Sequence, residues 1–224
     1  MISKVQVVGA SMSTFTRTIR MALEYVKVPY EQISAFPHSE EIKQYNAFGK
    51  LPALLIPGRP KPMVETLVMR TFIDATYGND KTRLTPLDLE SQLNVNFWIS
   101  SVSDHVFKNL IFGVAKPREM MEKRNESEEA IQERLSKSMP LALRTLAHLN
   151  DEYMNSEGPY LCGDQITWAD LYLYPCMADM FSLPETQQFK QVAPKIWIWY
   201  QHFEQLDLAK NTYSGSVAQQ RASL

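Results

Sequence analysis

Apolar positions along the first third of the 224-residue chain switch between two periods. Val5–Val8 is a short β-branched run that ends at Gly9, which predicts a buried strand. Phe15, Ile19, Ala22, Leu23 and Val26 then recur at three- and four-residue spacing, which predicts a helix. Pro29–Ile33 predicts a second strand, residues 39–45 a short helix, and Ala53–Ile56 a third strand. Pro57-Gly-Arg-Pro-Lys-Pro62 is a proline-rich turn. A brief strand over 62–64 is expected after it, then a helix over 65–77 with apolar residues at 68, 69, 72 and 73. The order is βαβ-α-ββα, an α/β domain. Parallel strands joined by a crossover helix carry their ligand crevice beyond the strands' carboxyl ends, where the turn at residues 10–14 lies.

Polar, turn-rich residues 78–87 mark a boundary. We expect one domain over residues 1–78, a linker over 79–87 and a second domain over 88–224. Everything in the second domain has helical periodicity. Val95, Trp98, Ile99, Val102, Val106 and Leu110 trace one apolar stripe. Ile131, Leu135, Met139, Ala142, Leu146, Leu149 and Tyr153 trace another, with a kink expected at Pro140. Residues 116–129 are dense in charge and expected to be exposed. Residues 195–206 predict a short amphipathic helix, and the small, polar stretch from Asn211 is expected to be loose.

Composition narrows the function classes. The chain is long enough for two modest domains, each with its own core. No apolar run approaches the roughly 20 residues needed to span a bilayer. The first residues, Met-Ile-Ser-Lys-Val, enter a strand without the apolar core of a secretory leader, so a cytoplasmic protein is expected. A formal net charge of −2 argues against nucleic acid or an anionic membrane as partner. Cys162 and Cys176 fall in one predicted helical region without metal-ligand spacing. They read as two reduced, packed thiols, with a disulfide as the alternative. The final Ala-Ser-Leu lacks the basic residue of a peroxisomal tripeptide at Ser223, and is discounted.

The most informative stretch is 46–74. Gly49 and Pro52 punctuate the approach to the third strand. A proline there can be cis, which turns the preceding residue's backbone toward a ligand. Glu65-Thr66 places a carboxylate and a hydroxyl beside the free N–H groups of a helix start. Together these features describe a docking edge for a small molecule with backbone-like and anionic groups.

Phe48-Gly-Lys-Leu-Pro-Ala-Leu54, followed by Glu65-Thr66 and Phe72-Ile73, resembles the glutathione-binding signature of cytosolic glutathione transferases. That family usually has Ser at the position of Thr66, and often Tyr at that of Phe72. Gly9-Ala-Ser-Met-Ser-Thr-Phe-Thr-Arg17 resembles the first strand-to-helix turn of serine-type members, the theta, phi and zeta classes, in a fungal or bacterial variety. Gly163-Asp-Gln-Ile-Thr-Trp-Ala-Asp170 resembles the capping motif of their helical domain. The resemblance implies a thioredoxin-like N-terminal domain and an all-α C-terminal domain. It also implies glutathione as co-substrate, no metal, and a homodimer.

The same resemblance assigns roles. Ser13 would donate its hydroxyl to the glutathione sulfur and hold the thiolate, with Ser11 the other candidate; read locally, Ser13 is simply a helix cap. Glu65 and Thr66 would receive the γ-glutamyl end, with Leu51 beside them, and Lys50 and His38 the glycine carboxylate. Phe107, Phe112 and His105 would wall the pocket of a hydrophobic electrophile, although core packing or an interface accounts for them equally well. Asp104 would reach across a dimer, and Arg17 is a structural charge partner beneath the first helix. Thr167 and Asp170 form a capping box with Ile166 and Leu171 as its hydrophobic staple. Two other functions share the resemblance. A maleyl-type cis-trans isomerase would favour Ser-Ser-Cys where this chain has Met12-Ser13-Thr14, and a non-catalytic module would dispense with the Leu51-Pro52 or Glu65-Thr66 elements. Thiol-disulfide exchange is disfavoured because no cysteine precedes Cys162.

Overall fold

The computed structural model describes residues 4–154 and 157–223. Strand β1 (Val5–Val8) is the middle of a three-stranded sheet. Helix α1 (Thr14–Tyr25) carries the chain over to β2 (Tyr30–Ile33), which pairs in parallel with β1. After a four-residue helix, α2 (Glu40–Lys43), strand β3 (Ala53–Leu55) lies antiparallel on the other edge of β1. The strand expected over 62–64 contracts to one bridge, in which Met63 and Leu54 exchange backbone hydrogen bonds of 2.8 Å. Pro60 and Pro62 have no N–H to offer a ladder, which limits it to that single step. Helix α3 (Thr66–Tyr77) completes this half.

The second half is helical. Helix α4 (Leu89–Ser101) continues into a π-helical stretch, Val102–Ala115, and then into α5 (Lys116–Lys123). Val95, Trp98, Val102, Val106 and Leu110 are all fully buried along this rod, as their periodicity predicts, while Ile99 is only partly covered. Next come α6 (Glu128–Ser136), α7 (Met139–His148), a π-helical turn at Leu149–Tyr153, and the buried central helix α8 (Trp168–Phe181). Four shorter helices follow: α9 (Thr186–Val192), α10 (Pro194–Glu204), α11 (Asp207–Asn211) and α12 (Val217–Ala222).

Four local expectations change. Pro140 kinks nothing: it sits in the first turn of α7, where its missing N–H has no intrahelical partner to lose. The segment 116–129 is not uniformly exposed. The Arg118 side chain is 1% exposed and meets Glu122 at 2.9 Å, Glu128 at 2.5 Å and Glu185 at 2.7 Å. Burying Arg118 and Glu185 is tolerable only because they are paired, and Glu185 is too distant in sequence for local charge density to reveal it. The stretch from Asn211 is not loose, because Thr212, Ser216 and Val217 are buried and Arg221 of α12 pairs with Glu122. Only Cys176 is helical; Cys162 lies in the turn before α8, and both thiols are free.

The two halves meet through α1 and α3. Helix α1 packs on α8, where the Thr18 hydroxyl donates to the Leu171 carbonyl at 2.9 Å. The buried Asp74 carboxylate of α3 accepts from the Leu84 N–H at 3.1 Å, the Thr85 hydroxyl at 2.5 Å and the Trp168 ring N–H at 2.8 Å. One side chain therefore fastens α3, the connecting segment and α8 together.

Candidate active site

The turn between β1 and α1 is tight because Gly9 allows it. A Cβ on Gly9 would stand 2.4 Å from the Thr16 hydroxyl oxygen, so any larger residue would push α1 away from the sheet. Ser13 has extended backbone and caps α1, its hydroxyl oxygen accepting from the Thr16 N–H at 3.3 Å. That bond uses a lone pair and leaves the hydroxyl proton available to an acceptor in front of the helix. Ser11 is differently engaged. Its hydroxyl lies 3.0 Å from Gln32 Nε2, which also donates to the Gly9 carbonyl at 2.8 Å. Gly215 crowds it from the other side, at φ +76°, where a Cβ would come within 2.7 Å of the Ser11 Cβ.

Strand register sets what lies beside this turn. Val8 is opposite Ala53, and Leu54 is opposite Met63. Extended by one residue along the first pairing and two along the second, this register would direct Gly9, Pro52 and Glu65 toward one side of the sheet. Neighbouring strands are about 4.8 Å apart, so the three segments leave the sheet close to one another. The Leu51-Pro52 bond is cis. Glu65 has φ +67°, its side chain is exposed, and it makes no cap bond with the N–H groups of α3. At the far end of the edge the His38 N–H donates to the Gly49 carbonyl at 2.7 Å, and Gly49 itself has φ +66°. This contact brings the exposed side chains of His38 and Lys50 to neighbouring positions. Asn46 holds the loop by donating to the Lys50 carbonyl at 2.9 Å.

Behind the turn stands an aromatic chain. Phe15 meets Phe107 at 4.8 Å between ring centroids, and Phe107 meets Phe112 edge-on at 4.9 Å. Phe112 is 58% exposed, so this row ends at open surface. His105 is not part of it. It lines a separate cavity of about 330 Å³ with Phe97, Arg144, His148 and Tyr153, because two positions along a helical rod turn a side chain to another face. The exposed Asp104 accepts from the Ser100 hydroxyl at 3.3 Å. Arg17 is buried under α1 with neutral partners: Thr212, the Tyr174 hydroxyl and the Ala209 carbonyl, with its guanidinium over the Tyr174 ring. It is structural as expected, but among the described residues it forms no ion pair.

Two residues at this seam escape a reading of the sequence. Tyr172 looks like one more core position in a Leu-Tyr-Leu-Tyr run, yet its ring lies 5.9 Å from that of Phe15 and its hydroxyl lies beside Thr66. Burial raises the Tyr172 pKa, and the neighbouring Thr66 hydroxyl and the Arg70 charge offset part of that rise. Arg70 follows Thr66 by four residues, which was a legible sign that the two share a helix face. Cys162 lies in the turn before α8, away from this region, whereas the buried Cys176 of α8 lies beside Thr14, behind the β1–α1 turn. Burial and the Asp170 charge push the Cys162 thiol up to about 12, and burial also raises Cys176. Neither is poised as a nucleophile. Among the described residues no group of three or more His, Cys, Asp or Glu side chains is arranged to hold a metal ion, and no helix is long and apolar enough to cross a membrane.

Two family models match the chain in tandem. The one described as glutathione S-transferase, N-terminal domain, covers residues 7–81, and the one described as glutathione S-transferase, C-terminal domain, covers residues 106–210. No curated protein matches. Among solved structures, glutathione transferase F7 from Populus trichocarpa is 18% identical with a TM-score of 0.77, over 94% of this chain and 98% of that one. The tau-class glutathione S-transferase of mango, Mangifera indica, is 20% identical with a TM-score of 0.77, over 99% and 96%. A glutathione S-transferase of Methylobacillus flagellatus, solved with glutathione bound, is 18% identical with a TM-score of 0.72, over 93% and 98%. At these identities the likeness is one of fold, a small mixed sheet with helices followed by a helical domain. Joined to the two domain models, it places the chain in the glutathione S-transferase family, as a glutathione transferase.

Proposed function

We propose that glutathione lies along the edge formed by residues 9–13, 51–52 and 65–66, and that Ser13 activates its thiol as in serine-type members of the family. The observation that carries this reading is that the pairings Val8–Ala53 and Leu54–Met63 lead Gly9, Pro52 and Glu65 out on one side of the sheet, beside a serine whose hydroxyl proton is unspent. The backbone of Leu51 would pair with the cysteinyl unit, Glu65 would take the γ-glutamyl ammonium, and the first N–H groups of α3 with Thr66 would take its carboxylate. Lys50 and His38 would meet the glycine carboxylate at the other end. A free thiol has a pKa of about 8.5, so at neutral pH most of it is protonated. A hydroxyl donating to sulfur at the head of α1 favours the thiolate, which then attacks a small hydrophobic electrophile resting on Phe107 and Phe112. Ser13 stabilises the nucleophile, and glutathione supplies it. Ser11 is a poorer candidate because Gln32 and Gly215 occupy its surroundings.

The fold neighbour solved with glutathione bound supports the choice of co-substrate. We further propose a cytoplasmic homodimer. Leu67 and Val68 of α3 and Leu89 and Leu93 of α4 leave apolar surface uncovered on one protomer, which a second copy would bury. The direct test is retention on immobilised glutathione, with a rise in melting temperature on adding free glutathione. Passage through the column together with an unchanged melting temperature would remove the proposal. Initial rates with an aryl halide, an organic hydroperoxide, an α-haloketone and a maleyl-type cis alkene would then define the electrophile.

A further inference from the structure

The last stretch of the chain doubles back along α1. Asn211 Nδ2 donates to Glu24 at the far end of α1, at 3.0 Å. Arg17, nearer its start, donates to the Thr212 hydroxyl at 3.3 Å and the Ala209 carbonyl at 3.1 Å. Gly215 then meets Ser11, ahead of the helix, so closely that a Cβ on Gly215 would stand 2.7 Å from the Ser11 Cβ. Helix α12 holds Gly215 there: its N–H donates to Gln219 Oε1 at 2.6 Å, and its carbonyl accepts from Gln220 Nε2 at 3.2 Å. Arg221 ties α12 in turn to the Ser182 carbonyl at 3.1 Å and to Glu122 at 3.0 Å. The other side of the turn is gripped from β2. Gln32 Nε2 donates to the Gly9 carbonyl at 2.8 Å and lies 3.0 Å from the Ser11 hydroxyl, while the Gly9 N–H donates to the Ile33 carbonyl at 2.8 Å. The turn closes through the Ser13 N–H, which donates to the Ala10 carbonyl at 3.0 Å. The backbone that carries Ser13 is thus fixed from two sides by segments remote in sequence.

We propose that Gln32 and Gly215 are positioning residues for Ser13, so that the C-terminal strap is a working part of the thiol-activating turn. This rests on the assignment of Ser13 above and deepens it. A hydroxyl stabilises a thiolate only when its proton points at the sulfur, and hydrogen bonds weaken steeply off line. One lone pair of the Ser13 hydroxyl is committed to the Thr16 N–H, so the place of its oxygen follows the backbone of the turn. A misplacement of about 1 Å can cost about a hundredfold in rate. Glycine suits position 215 because it combines φ +76° with an approach that a side chain would block. Ser11 is the surface on which the grip closes. Ser11→Ala keeps both the Cβ that faces Gly215 and the bond from Gln32 to Gly9, so the clamp survives that change.

The test is a double-mutant cycle with Ser13, read as turnover against pH with an aryl halide. Gln32→Leu removes the amide, and Gln32→Glu keeps its length but, ionised, has no proton for the Gly9 carbonyl. Both should hold glutathione affinity within a few-fold, lower turnover at neutral pH by roughly fivefold or more, and recover part of the loss as pH rises. Gly215→Ala should do the same. Gly58→Ala is its control, since Gly58 has a similar φ of +78° with nothing near its Cβ position, and should leave turnover unchanged. In the Ser13→Ala background, Gln32→Leu and Gly215→Ala should lower turnover no further, because the group they position is gone. A loss of the same factor with and without Ser13 would make their role one of fold alone and overturn the proposal. Full turnover in Gln32→Leu or Gly215→Ala removes that residue from the clamp. A Ser13→Ala that turns over like wild type would instead overturn the assignment of Ser13.

Discussion

A serine hydroxyl has one proton and two lone pairs to distribute, and Ser13 commits only a lone pair inside the protein. Ser13→Ala should therefore keep glutathione affinity within a few-fold but lower turnover at neutral pH. The loss is roughly tenfold for each unit by which the thiol pKa rises. Raising the pH should restore part of the rate, since solvent then ionises the thiol unaided, whereas Ser11→Ala should show no such rescue. Pre-steady-state rates from pH 6 to 9 check both; a pH-rescued defect in Ser11→Ala alone would exchange the two roles. Asp179 gives a second prediction. It is buried in α8, its Oδ2 has no partner, and burial raises its pKa to about 7, against the opposing pull of the Lys116 and Arg17 charges. Its unfolded value is near 3.8, so between about pH 4 and 7 the folded chain holds the proton more tightly than the unfolded one. The carboxyl is thus harmless to stability at the acid end, grows costly as pH rises, and reaches its full cost above 7. Asp179→Asn should raise the melting temperature most at pH 8, with the gain shrinking toward pH 4. A gain of the same size at pH 5 and pH 8 would contradict this origin. At this scale the sequence was legible where chemistry is local, as at Ser13 or Glu65-Thr66. It was silent where partners are remote, as for Tyr172 with Thr66 or Arg118 with Glu185.

Among the elements, α8 shows how one motif can do more than its local pattern suggests. Thr167-Trp-Ala-Asp170 reads as a helix start, and the Thr167 N–H and hydroxyl do donate to Asp170 Oδ2, at 2.9 and 3.1 Å. Ile166 and Leu171 are both buried, as a hydrophobic staple requires. Yet Asp170 Oδ1 also accepts from the Leu161 N–H at 2.9 Å and the Trp199 ring N–H at 3.0 Å. Thr167→Ala should cost about 0.5–2 kcal/mol, the range for a lost cap. Asp170→Ala strands several buried donors, each worth about 1–3 kcal/mol, and should cost clearly more than its partner. Denaturant titration of the two variants decides this, and equal costs would reduce Asp170 to a plain cap. Periodicity captured the strands and long helices because burial on one face imposes it. It could not reveal the π-helical widening over Val102–Ala115, which preserves an apolar stripe, nor the break between α6 and α7, where the stripe continues across a turn. Residues 62–64 misled for a related reason: their apolar character is real, but two prolines withhold the donors a strand needs.

At the scale of the whole molecule, charge and surface act between distant segments. Arg118 gathers Glu122, Glu128 and Glu185, and Arg221 joins them through Glu122, so α5, α6, the start of α9 and α12 are drawn to one buried cation. Burial works against ionisation of Glu122, but the bonds from Arg221 and Arg118 prevail and hold its carboxyl below the usual range. The exposed apolar side chains of α3 and α4 lead to the remaining prediction. Light scattering at micromolar protein should give twice the mass of one chain, and Leu67→Glu with Leu93→Glu should halve it; a monomeric wild type would dismiss the homodimer. The two-domain order was readable from the change of period near residue 78. What fastens the domains was not, since Asp74 and Trp168 are 94 residues apart. That bond has a spectroscopic consequence. The chain has four tryptophans, and the indole proton of Trp168 is fully enclosed and bound to a carboxylate from the other half of the molecule. Its exchange with deuterium requires that α3 and α8 part, so the lifetime of this one resonance times the opening of the domain seam.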